Sequence, residues 1–182
     1  MISHPAPCPS LSSAIDSPTR RRLPPLLRRA WFGLNQAFRR RTLHTGITPD
    51  QFTVLRTLVE SDARGLNQSE LGRRIASDPN TMTSLLERME TAGLVERSAD
   101  ETDRRANRIC VTGAGRRKFA RVRQYAVELQ IRILSALAEE KREEFLAQLE
   151  IVAQACQQVN EEFPPEARAR VRSRTRQLRR AL

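Results

Sequence analysis

LNQSELGRRIASDPNTMTSLLERMETAGLVERS, residues 66–98, decides how the rest of the chain is read. Asn67 and Glu70, three residues apart, have the spacing of a capping box, and Leu66 and Leu71 that of a hydrophobic staple across it. A helix therefore starts here, and such a cap contributes about 1 kcal/mol, enough to define where a short helix begins. Its pattern runs out near Ala76. Ser77 or Asp78 then caps a second helix at once, with Pro79 in the first turn, where a missing N–H costs nothing. Two helices so close in sequence turn a tight corner, the second standing across the first. This is a helix-turn-helix.

The second helix divides by chemistry. At helical periodicity Met82, Leu85, Leu86 and Met89 gather on one face; Asn80, Thr83, Ser84, Glu87 and Arg88 gather on the other, with Thr81 at the edge. A surface helix turned to water has the same division. Here, however, the polar side chains near the N-terminus are short and hydrogen-bonding, as contact with base edges in a major groove requires. Only Glu87 opposes a polyanion. Gly93 ends the helix in a left-handed cap.

LVERS (94–98) and RICVT (108–112) alternate as two half-buried strands, with Val95, Ile109 and Val111 facing inward. The segment between them, ADETDRRAN, is too long for a two-residue turn, so the hairpin carries a projecting loop. Two strands alone are barely stable, so the ribbon is expected to pack on the helix-turn-helix as a wing.

Outside this centre the pattern is helical. After Pro24-Pro25, Leu27, Trp31, Leu34 and Phe38 recur at helical spacing up to about Leu43. Thr48 with Gln51 forms a capping box, Pro49 takes the first turn, and Phe52, Leu55, Leu58 and Val59 give a stripe reaching about Asp62. From Gly113 a long helix carries Phe119, Val122, Ala126, Leu129, Ile133 and Leu137 on one stripe. Another, from about Glu139 to Val159, carries Phe145, Leu149, Val152, Cys156 and Val159. These stripes exceed what a winged domain of residues 48–112 can cover. Helices 1, 5 and 6, in residues 23–47 and 113–163, are therefore expected to meet their counterparts in a second chain; a monomeric helical subdomain is the alternative. The expected fold is mainly α with a small β-wing. Residues 1–22, rich in Pro and Ser, are expected to be a flexible tail, and residues 164–182, after Pro164-Pro165, a basic one.

The net charge of +11 is unevenly spread. Residues 1–45 carry +7 and residues 164–182 carry +6, while within the nearly neutral middle 68–123 carries +4 and 124–163 carries −5. A polyanion contacted by one face suits this pattern, as do solvated basic tails. The 3 cysteines lie far apart and there are only 2 histidines, so neither a metal site nor a disulfide is expected. Cys110 and Cys156 read as small core residues. No apolar run approaches the roughly 20 residues of a membrane span, and the N-terminus lacks a signal-peptide core, which makes a cytoplasmic protein the default. GAG at 113–115 lacks the lysine–hydroxyl pair of a phosphate loop and reads as helix initiation. The glutamate pairs at 139–140 and 143–144 suit a helix start rather than a catalytic dyad. An enzyme is not expected, nor is a cofactor. Aromatic residues are 4% of the chain and none lies near the basic wing, which argues against RNA modes built on base stacking. Nonspecific or architectural nucleic-acid binding is the remaining alternative.

The order of elements, the segment 66–98 and the wing sequence DRRANRICVTGAG together resemble the MarR (multiple antibiotic resistance regulator) family over roughly residues 26–160. The resemblance implies a homodimeric winged helix-turn-helix protein that binds double-stranded DNA at a pseudo-palindromic operator. Such proteins are usually repressors, and a small-molecule effector or an oxidant often changes their affinity. Carried over by position, helix 79–92 is the recognition helix, with Asn80, Thr81, Thr83, Ser84 and Arg88 as base or phosphate contacts. Arg104 and Arg105 reach the minor groove or its phosphates; Arg105 is the inserting residue, since the family's wing arginine follows the aspartate by two. Asp103 is then the wing buttress, orienting a guanidinium through charge-assisted bonds. Gln68 and Ser69 stand at a helix N-terminus, where backbone N–H groups serve either to bind phosphate or simply to be capped. Effectors of the family lie between the dimer helices and the winged domain, which implicates Trp31, His44 and Phe52. Ser84 stands where many members have arginine, and the early cysteine of the peroxide-sensing branch has no counterpart in the first helix.

Overall fold

Side-chain caps set where the central helices begin. The computed structural model describes residues 23–99 and 107–162. The expected tails, 1–22 and 164–182, and the wing tip with Asp103, Arg104 and Arg105 lie outside the described residues. The elements run α1 (Leu23–Thr42), a 3-10 turn (Leu43–Thr45), α2 (Pro49–Val59), β1 (Leu66–Asn67), α3 (Gln68–Arg74), α4 (Pro79–Thr91), β2 (Val95–Ala99), β3 (Asn107–Val111), α5 (Gly113–Leu134) and α6 (Glu139–Glu162). The chain divides into two units between Gln130 and Ile131, within α5.

In the first unit, Thr48 and Gln51 form a reciprocal capping box at α2 (3.3 and 3.0 Å), with Pro49 in its first turn. Asn67 caps α3 by accepting from the Glu70 N–H at 2.8 Å. The expected return bond from Glu70 is absent, because its carboxylate accepts from Arg74 at 2.7 Å, one turn along the helix. Of the two candidates at α4, Asp78 is the cap: its carboxylate accepts from the N–H groups of Asn80 (3.1 Å) and Thr81 (3.0 Å). The Asp78 carboxyl is held below its ordinary value of 3.8 by a bond from the Thr81 hydroxyl and by the Thr81 and Asn80 backbone, which outweigh desolvation.

The corner between α3 and α4 is sharper than the sequence suggests. Ala76 adopts φ +53°, while Ser77 N–H bonds to Gly72 O at 2.9 Å and Ala76 N–H to Arg73 O at 3.3 Å. This is a Schellman closure, normally built on glycine. An alanine in the left-handed region costs about 1–2 kcal/mol, and α3 accordingly stops at Arg74.

The sheet has three strands, in the order β1-β3-β2, all antiparallel neighbours. Two of them are the expected ribbon, paired Val95 with Val111 through Ala99 with Asn107. The third, β1, pairs Leu66 with Ile109 and Asn67 with Arg108. Two residues are too few to show alternation, so β1 leaves no periodic signal. Because β1 runs directly into α3, it ties the ribbon to the helix-turn-helix through main-chain bonds.

One core joins these elements. The apolar face of α4 (Met82, Leu85, Leu86, Met89) is buried with Val54, Leu55 and Leu58 of α2, Leu71 of α3, and Val95, Ile109 and Val111 of the sheet. Phe38 of α1, Phe52 of α2 and Phe119 of α5 form an aromatic row at centroid distances of 5.1 and 5.4 Å. The turn from α1 to α2 is closed by two buried threonines, Thr42 bonding to Phe38 O (2.9 Å) and Thr45 to Thr42 O (2.6 Å). Arg41 pairs with Glu128 and lies over the Tyr125 ring, linking α1 to α5.

The second unit, described from Ile131 to Glu162, holds the end of α5 and all of α6. Arg142 closes the corner by donating to the carbonyls of Leu134 (3.2 Å) and Leu137 (3.3 Å). Glu139 and Glu140 occupy the first turn of α6, where acids favour the helix dipole. No residue of α6 is buried. Cys156, expected in the core, is exposed with it, whereas Cys110 in β3 is half-buried. Among the described residues, no helix is long and apolar enough to cross a membrane and no cluster suits a metal ion.

Three tests follow from these joints. A Cβ on Gly115 would come within 2.1 Å of the Leu94 carbonyl oxygen, so Gly115→Ala should cost about 1–3 kcal/mol despite alanine's better helix propensity; an unchanged urea midpoint would refute this. Ala76→Gly should stabilise by about 0.5–1 kcal/mol, the relieved strain exceeding the added unfolded-state entropy. Asp78 has a lowered folded-state pKa, so its contribution is complete above the unfolded value and is lost as pH falls through the folded one. The melting-temperature difference between the native chain and Asp78→Asn, which still caps but does not titrate, should therefore change as pH drops from 6 to 3. Parallel curves would contradict it.

Candidate nucleic-acid interface

Helix α4 presents its polar face because its apolar face is consumed by the core. Asn80, Thr81, Ser84, Glu87 and Arg88 are exposed and Thr83 is half-buried. Their hydrogen bonds distinguish them. Thr81 serves the Asp78 cap. Thr83 donates its hydroxyl proton to Pro79 O (2.9 Å) and accepts from Gln68 Nε2 (2.8 Å). Arg88 uses Nε to reach Ser84 O (3.0 Å), which fixes the stem and leaves the outer guanidinium nitrogens exposed. Among the described residues the side chains of Asn80 and Ser84 have no hydrogen-bond partner, and both residues are exposed.

The backbone N–H groups of Gln68 and Ser69 were read either as a phosphate site or as simply capped; the Gln68 side chain crosses from α3 to Thr83 on α4, a bond between residues 15 apart. Ser69 beside it is exposed, and the N–H of the next residue, Glu70, is taken by the Asn67 cap. No sequence signal marks the Gln68–Thr83 bond, since it depends on the crossing of the two helices.

The far end of α4 is fastened to the wing and to α5. Gly93, at φ +66°, permits the closure in which its N–H bonds to Glu90 O and that of Leu94 to Met89 O, both at 2.9 Å. Thr112 then bridges three elements: its hydroxyl donates to Gly93 O (2.7 Å), accepts from Gly115 N–H (3.0 Å), and its own N–H bonds to Leu94 O (3.2 Å). GAG at 113–115 is thus a helix start, as expected. In the central strand, Arg108 of β3 donates to Gly65 O (3.0 Å), which braces the strand leading to the wing tip. Arg116, Arg117, Arg121 and Arg123 on the first turns of α5 are exposed and form no ion pair among the described residues. These cations enter the +4 of residues 68–123 but were assigned no role from sequence.

The three residues considered for an effector differ in exposure. Phe52 is buried in the aromatic row, Trp31 is 64% exposed on α1, and His44 is exposed with its ring against the edge of Tyr125 at 5.4 Å.

A model of the MarR family matches residues 47–106. The chain is 31% identical over 105 residues to the HTH-type transcriptional repressor Rv2887 of Mycobacterium tuberculosis, which covers 58% of this chain and 74% of that protein. It is 38% identical over 81 residues to the HTH-type transcriptional regulator TtmR of Methylorubrum extorquens, and there it spans 44% of its own length and only 40% of the relative's. Among solved structures it is similar to the transcriptional repressor CouR bound to a 23-mer DNA duplex, with a TM-score of 0.65 and 27% identity over 72% of this chain and 92% of that one. It is also similar to Rv2887 in complex with salicylic acid, with a TM-score of 0.59 and 28% identity over 74% and 98%. With the family model matched and Rv2887 31% identical over 74% of its own length, the chain belongs to the MarR family.

Proposed function

We propose that this protein is a sequence-specific regulator of transcription, a repressor that binds double-stranded DNA as a homodimer and acts in the cytoplasm by binding rather than by catalysis. The observation that carries this reading is the exposed face of α4, where Asn80, Ser84 and Arg88 offer uncommitted hydrogen-bonding groups on a helix clamped at both ends. Each α4 enters a major groove, and the two half-sites are centred about one helical turn apart. The likeness to a repressor bound to a DNA duplex supports it.

In this reading residues 48–112 form the DNA-binding part. Asn80, Ser84 and Arg88 meet base edges or adjacent phosphates, and Thr81, Thr83, Gln68 and Ser69 shape and flank that surface. Arg105 enters the minor groove with Arg104 at its phosphates, and Asp103 orients them. Residues 23–47 and 113–163 form the dimerisation region. In its favour, Trp31 and Phe32 of α1 and Phe145, Ile151 and Val159 of α6 are more than two-fifths exposed in the single chain. Exposed aromatic and aliphatic side chains at this density belong in an interface. A small aromatic acid is the effector class suggested by the salicylic acid complex of Rv2887, with Trp31 and His44 as the residues of this chain to examine. Since Phe52 is committed to the core, it contributes there by packing.

Selection of bound fragments from the source genome, followed by footprinting with and without salicylate, tests the reading as a whole. Competition by bulk DNA at equal strength would favour nonspecific or architectural binding instead. Arg105→Ala should weaken binding to the selected operator by about 1–3 kcal/mol and relax preference where the minor groove is narrow. An unchanged titration would remove Arg105 from the interface.

A further inference from the structure

We propose that Thr83 recognises the C5 methyl group of a pyrimidine in the major groove, through its own methyl group. This rests on the reading of α4 as the recognition helix. A threonine hydroxyl has one proton to give. In Thr83 that proton goes to Pro79 O at 2.9 Å, and Gln68 Nε2, arriving from α3 at 2.8 Å, occupies an acceptor position on the same oxygen. Thr83 therefore has no proton left for guanine O6 or N7, or for thymine O4, unless it abandons a bond in the first turn of α4. The hydroxyl keeps one lone pair, so toward a partner the half-buried residue offers no proton, only that lone pair and the methyl.

The neighbours sharpen this assignment. Asn80 and Ser84 are exposed and carry polar groups with no partner among the described residues, so the same face sets hydrogen-bonding side chains beside the Thr83 methyl. In a major groove the apolar feature is the thymine C5 methyl, which threonine methyls contact. A methylated cytosine displays the same group. Gln68 is then a positioning residue: it locks the rotamer that turns the hydroxyl inward, and so acts on the bases through Thr83.

The test uses the full chain and its selected operator, with each dT replaced singly by dU and each dC singly by 5-methyl-dC. Removing the methyl that Thr83 meets should weaken binding about fourfold per half-site, the value of one buried methyl-sized group. If the position holds dC, adding the methyl should strengthen binding by a similar factor, which identifies methylated cytosine as the source. In either case the effect should vanish in Thr83→Ser, which keeps the hydroxyl, and persist in Thr83→Val, which keeps the methyl. The inference is overturned if no position responds, if Thr83→Ser keeps the response, or if Thr83→Val loses it while melting like the native chain. Asn80→Ala and Arg88→Ala separate the two levels. Unchanged affinity in both removes the recognition-helix reading itself; weakened affinity with a flat methyl scan removes only the role of Thr83.

Discussion

The structure depends on the junction at Leu94. Its N–H closes α4 by bonding to Met89 O, and its carbonyl accepts from Thr112 at the end of β3. The same carbonyl lies so close to the start of α5 that only glycine fits at 115. Thr112 completes the joint by bonding Gly93 O and capping the Gly115 N–H. The helix that offers its face to a partner, the ribbon that bears the wing and the long helix thus share one small set of bonds, made by the main chain and the Thr112 hydroxyl. Moving any one of these groups breaks more than one of these bonds at once.

This rigidity matters for recognition. Hydrogen bonds to base edges are directional, and a helix that rocks loses them. Helix α4 is held at its start by the Asp78 cap, at its middle by the Gln68–Thr83 bond, and at its end by the Gly93–Leu94 closure. Between these points its apolar face is almost fully buried. The polar face is thereby left with few internal obligations, and those it has decide which chemistry each residue can offer. Five polar residues of the sequence become two uncommitted hydrogen-bonding groups, an anchored arginine, a capping threonine and a threonine whose hydroxyl proton is spent.

Much of this was legible in the chain. Capping chemistry acts within four residues, so Thr48–Gln51, Asn67 and the Asp78–Pro79 start could be read directly. The inward positions Val95, Ile109 and Val111 followed from strand alternation, and the face of α4 from helical periodicity. What misled was competition between partners. Glu70 has both a cap and Arg74 within reach, and the ion pair takes it. Cys156 sits on an apolar stripe whose cover is not in the same chain's core, so a stripe alone did not make it buried.

By itself, then, the sequence determined the helix starts, the helix-turn-helix and the alternation of the two ribbon strands, because each is written in the order of residues a few positions apart. Only the tertiary structure decided that Leu66–Asn67 would join the ribbon as a third strand, that Gln68 would reach Thr83, and that Leu94, Thr112 and Gly115 would meet. Those contacts join residues 15 to 43 positions apart, such as Gln68 with Thr83 and Leu66 with Ile109. Nothing in local periodicity or capping specifies such a pairing; it arises when the buried faces of separate elements settle on one core and bring the remaining polar groups within bonding distance.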